Sequence, residues 1–118
     1  MVRIQRKTLM VALLLGLGLG LGLPVASAED PVFTDEYLSD PANVQMGKDL
    51  FKRQCNKCHG KGAYPGKAPK LKPRKLSADD IYLRITYGYR KMPPWEEVFS
   101  DEERMALTAY LKSPIFSN

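Results

Sequence analysis

The chain has 118 residues, with two cysteines, one histidine and a formal net charge of +5. Three of its basic residues lie in the first 28 positions, and the remaining 90 residues are enough for one small domain. No basic segment is interleaved with aromatic side chains, so we expect no nucleic acid partner.

The first 28 residues have the pattern of a signal peptide. A basic start is followed by an apolar run at 9–23 and by small residues at 26–28. The run contains glycines, ends at Pro24 and is shorter than the roughly 20 apolar residues that a spanning helix needs. We therefore expect cleavage after Ala28, export to a bacterial periplasm and no stable membrane insertion afterwards. An uncleaved anchor is the alternative.

Residues 29–40 are predicted to form a loosely ordered lead-in, because they are acidic, contain Pro31 and show little periodicity. The main domain is predicted to span residues 41–118. Its first helix should be capped by Asp40, with Pro41 at the first helical position. Its apolar positions follow helical spacing and lead into the next motif: Val44, Gly47, Leu50, Phe51 and Gln54/Cys55.

That motif is Cys55-Asn56-Lys57-Cys58-His59, followed by Gly60. The Cys-x-x-Cys-His spacing is the attachment signature of a c-type haem. Two thiols on one turn of chain can add to the two vinyl groups of a porphyrin, and the adjacent imidazole can bind its iron. Gly60 allows the chain to turn away close to the ring. The motif therefore predicts one covalently bound haem c, with His59 as a ligand of its iron.

Three other interpretations of the motif are weaker. A structural zinc site needs four ligands, and this set offers three. A thioredoxin-like redox pair requires a βαβ context, which the sequence does not suggest. A disulfide between Cys55 and Cys58 would close a small, strained loop.

The rest of the chain predicts an all-α fold with three or more short helices. Residues 60–75 are rich in Gly, Pro and Lys and have no period, which predicts a loop around the cofactor. Helices should begin at Ser77, with Asp80 as capping partner, and at Ser100, with Glu103 in the same role. The second of these should end near Lys112, before Pro114. No segment alternates as a strand would.

A low-spin electron carrier needs a second axial ligand, and since no other histidine exists, methionine is the candidate. Met46 lies on the helix that enters the motif, and Met105 has helical partners that indicate core packing. Met92 follows His59 by 33 residues and precedes two prolines. That is enough chain to reach the opposite face of the ring. We expect Met92 to be the ligand, and an open or water-bound iron is the alternative.

These residues resemble the class I c-type cytochromes, in their small bacterial periplasmic form with one haem, over most of residues 43–112. The resemblance rests on Gly47 with Leu50-Phe51, the haem motif, Ala68-Pro69-Lys70-Leu71, Met92-Pro93-Pro94 and the last helix. It implies three to five short helices wrapped around the haem. It also implies that the Pro69 carbonyl orients His59 and that Gly47 meets Tyr110, where the first and last helices cross.

The expected function is electron transfer between periplasmic redox proteins, without catalysis, by a chain that is expected to be monomeric. Residues 48–91 hold 13 basic and 3 acidic side chains, which suggests that the redox partner has an acidic docking face. The alternative is that this excess of basic side chains is incidental and that they form an ordinary solvated surface. Two other functions stay open: a haem subunit or electron acceptor of a larger enzyme, such as a quinoprotein alcohol dehydrogenase, and a haem enzyme or sensor with an open iron position.

Overall fold

The computed structural model describes residues 20, 22–25 and 29–116, so the predicted signal peptide falls largely outside it. This part of the chain holds five α-helices and no named strand. They are α1 (Asp35–Ser39), α2 (Pro41–Leu50), α3 (Asn56–His59), α4 (Ala78–Tyr87) and α5 (Asp101–Lys112). The predicted helical class is therefore correct. Among the residues described, no helix has the length and apolarity to cross a membrane.

The short helix α1 was not predicted. Thr34 caps it, since its Oγ1 accepts a hydrogen bond from the Tyr37 N–H at 3.1 Å. The Phe33 ring packs 5.7 Å from the Tyr82 ring and 6.3 Å from that of Tyr37, between centroids. The prediction of a loosely ordered lead-in over residues 29–40 is therefore wrong for residues 35–39, which form a helix. Aromatic contacts with α4 stabilise a helix too short to form alone.

The helix α2 begins as predicted. Asp40 Oδ1 accepts hydrogen bonds from the N–H groups of Ala42 and Asn43, at 2.7 and 3.2 Å, and Pro41 is the first helical residue. The helix does not stop at Leu50. A π-helical turn, Phe51–Cys55, joins it to α3, so helical backbone runs from Pro41 to His59. Sequence periodicity predicted the helix but gave no sign of the π turn.

The caps of α4 and α5 also match the sequence. Ser77 Oγ accepts from the Asp80 N–H at 3.0 Å. Ser100 and Glu103 form a complete capping box, in which each side chain accepts from the other residue's backbone N–H. At its far end α5 reaches Lys112, whose ammonium donates to the Leu76 carbonyl at 2.8 Å and fixes this end of the helix against the preceding loop.

The core lies where α2 crosses α5. A methyl group added at Gly47 would lie 2.8 Å from Tyr110 Cβ and would collide with the Ala106 carbonyl, so the two backbones touch at this glycine. The expected meeting of Gly47 and Tyr110 is confirmed. Around it, the rings of Phe51, Tyr110 and Phe116 pack edge to face with centroids 5.3–5.6 Å apart. The crossing fixes the helix that carries the haem motif.

Candidate functional site

The two cysteines of the motif lie on consecutive turns of one helix. Cys55 ends the π turn, is half-buried and packs against the apolar core, whereas Cys58 is exposed on α3. Both are free thiols. Residues three apart lie on the same face of a helix, which suits a ligand that bridges both thiols.

His59 is the last residue of α3 and is half-buried. Its Nδ1 is buried and has no hydrogen-bond partner among the described residues. Burial lowers the pKa of His59, so the imidazole is neutral at neutral pH. A neutral imidazole has a lone pair for a metal, which is the form that iron ligation requires.

Burial also controls the state of Cys55. Desolvation, followed by the neighbouring Cys58, raises the pKa of the Cys55 thiol to about 11. Below that pH the group is a neutral thiol, so its contact with apolar neighbours buries no charge. Before attachment, then, neither Cys55 nor His59 brings a charge into the site.

The chain folds back on the motif immediately after His59. Gly60 has φ of +78°, a conformation that favours glycine, so the predicted turn at this residue is confirmed. The Ala68 N–H donates to the Cys58 carbonyl at 2.8 Å. Gly66 is so close that an added Cβ would lie 2.6 Å from the His59 carbonyl carbon. Residues 60–68 thus form a tight loop whose backbone fixes the orientation of α3.

Pro69 follows this loop and is exposed. Hydrogen bonds on either side hold it in place: Ala68 N–H to Cys58 carbonyl, and Leu71 N–H to Ala63 carbonyl at 3.1 Å. Since His59 Nδ1 has no partner among the described residues, the bond to the Pro69 carbonyl is not formed in this structure. The role assigned to Pro69 stays a prediction.

Met92 lies in a loop that is held at both ends. Tyr89 and Met92 exchange backbone hydrogen bonds of 3.1 and 2.9 Å around a two-residue turn, in which Arg90 has φ of +55°. Beyond the prolines, the Trp95 N–H donates to the Ile85 carbonyl of α4 at 3.0 Å. Backbone hydrogen bonds on both sides of the half-buried Met92 therefore hold this loop in place.

Met92 and Cys55 pack against the same apolar cluster, together with Leu71 and Trp95. Trp95 stacks on Phe99 at 5.4 Å between ring centroids, so it is a packing residue. Within the described residues the other methionines lie in helices: Met46 on α2 is 37% exposed, and Met105 on α5 is half-buried. Met92 is the one of the three that a loop carries, as the sequence predicted.

The types of residue present fit a haem. Two free thiols and a neutral imidazole with an unpartnered buried nitrogen lie close together along the chain, and a thioether in an anchored loop packs on the same apolar cluster as Cys55. These are the donor types that c-type haems use. The burial of Arg104 on α5 is a charged feature near the core that sequence reasoning missed, and only its position among buried helix residues could have suggested it.

A family model described as "Cytochrome C oxidase, cbb3-type, subunit III" matches residues 42–111, more than half of the chain. The chain belongs to this family of cytochrome c domains. The predicted resemblance to small class I c-type cytochromes is confirmed, and with it one covalently bound haem c and its iron.

Three known proteins illustrate the similarity. The chain is 37% identical over 81 residues to the cytochrome bc1 complex cytochrome c subunit of Corynebacterium diphtheriae, which corresponds to 63% of this chain and 28% of that protein. It therefore spans little more than a quarter of that relative. The fold is also similar to cytochrome CL from Methylophaga aminisulfidivorans (TM-score 0.58, 23% identity, 64% and 57% of the two chains) and to the c-type cytochrome NirC (TM-score 0.50, 23% identity, 66% and 99%).

Proposed function

We propose that this chain is a periplasmic electron carrier, with haem c attached through Cys55 and Cys58 and with His59 and Met92 as axial ligands. Two observations support the proposal: His59 is neutral and has an unpartnered buried nitrogen, and the Met92 thioether lies in an anchored loop on the same apolar cluster as Cys55. The haem iron supplies a one-electron couple between Fe(III) and Fe(II).

In this proposal the positions of His59 and Met92 change little when the charge of the cofactor changes. The backbone of residues 60–68 fixes the helix that ends at His59, and the hydrogen bonds at Tyr89 and Trp95 fix the loop that holds Met92. Rigid ligands limit the rearrangement that accompanies a change of charge. The apolar cluster excludes water, and a thioether ligand favours the reduced state. No side chain is assigned a catalytic role.

We expect Met92→Ala to lower the reduction potential by on the order of 0.1 V, because it removes the soft ligand that favours ferrous iron. The weak sulfur-to-iron charge-transfer band of the ferric protein should disappear from its visible spectrum. Met105→Leu and Met46→Leu are the matched controls, and both should retain the band. If Met105→Leu removed the band while Met92→Ala kept it, the ligand would have been assigned to the wrong methionine.

The proposed partners are redox proteins with an acidic docking face. The exposed lysines of the motif and the following loop form what we call the lysine surface: Lys57, Lys61, Lys67, Lys70, Lys72 and Lys75. Because these lysines lie within the motif and in the segment that follows it along the chain, an acidic partner would be attracted to the part of the molecule that holds the cofactor. The curated relative is named as a subunit of a bc1 complex, which agrees with function among redox partners.

Electron transfer with an acidic partner should slow as ionic strength rises from about 0.01 to 0.15 M, since the screening length falls from roughly 30 to 8 Å. Lys57→Glu and Lys61→Glu should reduce the second-order rate, measured by stopped-flow absorbance, with little change in potential. Glu102→Gln, on the exposed start of α5, is the control and should have a smaller effect. A rate independent of salt would show that the lysine surface does not steer docking.

A second candidate function is that of a haem-bearing subunit within a larger complex. The observation that favours it is the curated relative itself, a named complex subunit of which this chain matches 28%. Size-exclusion chromatography of the protein from its native membranes and periplasm separates the two functions. A carrier elutes at the mass of the free chain, whereas a subunit elutes with its complex.

A further inference from the structure

An acidic cleft of about 470 Å³ is lined by α4 and the first turn of α5, and by no residue of the haem motif. Residues 29–31 form part of its wall, so the N-terminal segment completes it. Five exposed carboxylates line it: Glu29, Asp30, Asp79, Glu96 and Asp101. The one basic side chain in the wall is Arg104, which is already paired with Asp101. Cleavage after Ala28 would add one α-ammonium at Glu29, which still leaves the carboxylates in excess. The cleft therefore has a strongly negative potential, opposite in sign to the lysine surface.

Arg104 gives the cleft a second property. The residue is only 6% exposed, and its guanidinium lies 5.3 Å from the centre of the Tyr82 ring. Its Nε donates weakly to the Ser100 carbonyl, at 3.4 Å, but its Nη1 is buried with no hydrogen-bond acceptor among the described residues. A buried charged donor without an acceptor is unfavourable. The wall of an acidic cleft thus contains an unsatisfied donor, which a rotation of the Arg104 side chain on binding would bring to a ligand oxygen.

Two large apolar side chains stay exposed at the same place. Leu83 and Tyr87 are 49% and 65% exposed, one turn apart on α4, and both line the cleft. Apolar side chains beside carboxylates accommodate the long alkyl stems of lysine or arginine, and an aromatic face attracts their charged ends.

A metal ion does not fit these features. Within the described part of the chain, no three acidic, cysteine or histidine side chains are gathered closely enough to hold one. The carboxylates are spread along the cleft, next to an apolar strip and an unpartnered donor. This combination suits an extended ligand with several cations, alkyl groups and oxygen acceptors, which together describe a basic polypeptide.

We propose that the acidic cleft binds a lysine- or arginine-bearing segment of a partner protein. Its cations pair with the carboxylates, its alkyl stems lie on Leu83 and Tyr87, and one of its backbone carbonyls accepts from Arg104 Nη1. The cleft and the lysine surface attract partners of opposite charge, so this partner differs from the acidic one proposed above. The inference does not depend on electron transfer, because it concerns binding at a surface without haem ligands.

Titration of the 15N-labelled holoprotein with a capped peptide containing two lysines and a leucine tests the proposal by NMR, at an ionic strength of about 0.02 M. We expect saturable shifts of the amide signals of Leu83, Tyr87 and Arg104. The same peptide with glutamates in place of lysines should produce none. Shifts confined to other regions, or an equal response to the glutamate peptide, would overturn the proposal.

A charge-matched pair of variants separates the cleft from net charge. Asp79→Asn with Glu96→Gln removes two carboxylates from the cleft, whereas Glu36→Gln with Glu97→Gln removes two exposed carboxylates outside it. We expect the first pair to weaken peptide binding about fivefold and the second to weaken it less than twofold. Equal weakening would mean that net charge alone attracts the peptide.

Two further measurements address other occupants of the cleft. Saturable shifts at the same amides with calcium chloride alone, in the micromolar range, would make the cleft a metal site and refute the proposal. A diffusion coefficient that falls with protein concentration, together with shifts at these amides, would assign the cleft to a second copy of the chain.

Discussion

Replacing both Cys55 and Cys58 by alanine is expected to yield a polypeptide that neither retains haem nor folds stably. The residues after position 28 number only 90, and a chain of this length buries limited apolar surface. Several side chains that surround the site are only partly buried in the protein alone, among them Cys55, Leu71, Met92 and Trp95. A covalently held ring would complete this part of the core, and no other cysteine is present to cross-link the chain.

Intact mass spectrometry of the exported protein, after acid–acetone extraction, measures the attached haem directly. Wild type should carry one haem and the double variant none, and circular dichroism should show helical signal only for wild type. Lys57→Ala is the matched control, because it lies between the two cysteines and leaves both thiols in place. Covalent haem on the double variant, or haem removed from wild type by extraction, would contradict the assigned attachment sites.

Gly47→Ala is expected to destabilise the holoprotein by about 3 kcal/mol, a large effect for one methyl group. The added carbon would collide with the Ala106 carbonyl of α5 and lie 2.8 Å from Tyr110 Cβ. Both neighbours belong to a packed helix, and a backbone carbonyl cannot rotate away as a side-chain end can. Relief would require α2 and α5 to separate, and the motif-bearing helix would move with α2.

Urea unfolding of the ferric holoprotein, followed by circular dichroism, gives the change in free energy of unfolding. Gln45→Ala is the control, since Gln45 is exposed on the same helix and should change stability by no more than about 0.5 kcal/mol. Helix propensity alone predicts the opposite sign for Gly47→Ala, a gain of up to about 1 kcal/mol. A variant more stable than wild type would therefore show that the close crossing of α2 and α5 is not maintained in solution.

The features that the sequence predicted correctly depend on residues close together along the chain. The caps at Asp40, Ser77 and Ser100 each involve a side chain and a backbone group two or three residues away, so a short window contains the whole interaction. The haem motif is similarly local. The contact between Gly47 and Tyr110 is distant in sequence, and its prediction came from the resemblance to a family.

The features that sequence reasoning missed depend on tertiary contacts. The helix at Asp35–Ser39 forms in a segment with weak periodicity because Phe33 packs on Tyr82 of α4. The burial of Arg104 depends on α4, whose Tyr82 ring lies 5.3 Å from the guanidinium. The axial role of Met92 and the bond from His59 to Pro69 stay predictions, since both depend on how the protein closes around the haem.

The π turn at Phe51–Cys55 sets the angular relation between the two ends of one helix. In an α-helix each residue advances the side-chain direction by about 100°, and a π turn accommodates one more residue without ending the helix. The angle about the helix axis between Gly47, which touches α5, and the two thiols that follow it therefore depends on this single turn. Shortening that turn by one residue would rotate the haem motif relative to the α2–α5 crossing while leaving every motif residue intact. Insertions and deletions here are therefore restricted because they would change the orientation of the haem motif, even though they would leave its residues unchanged.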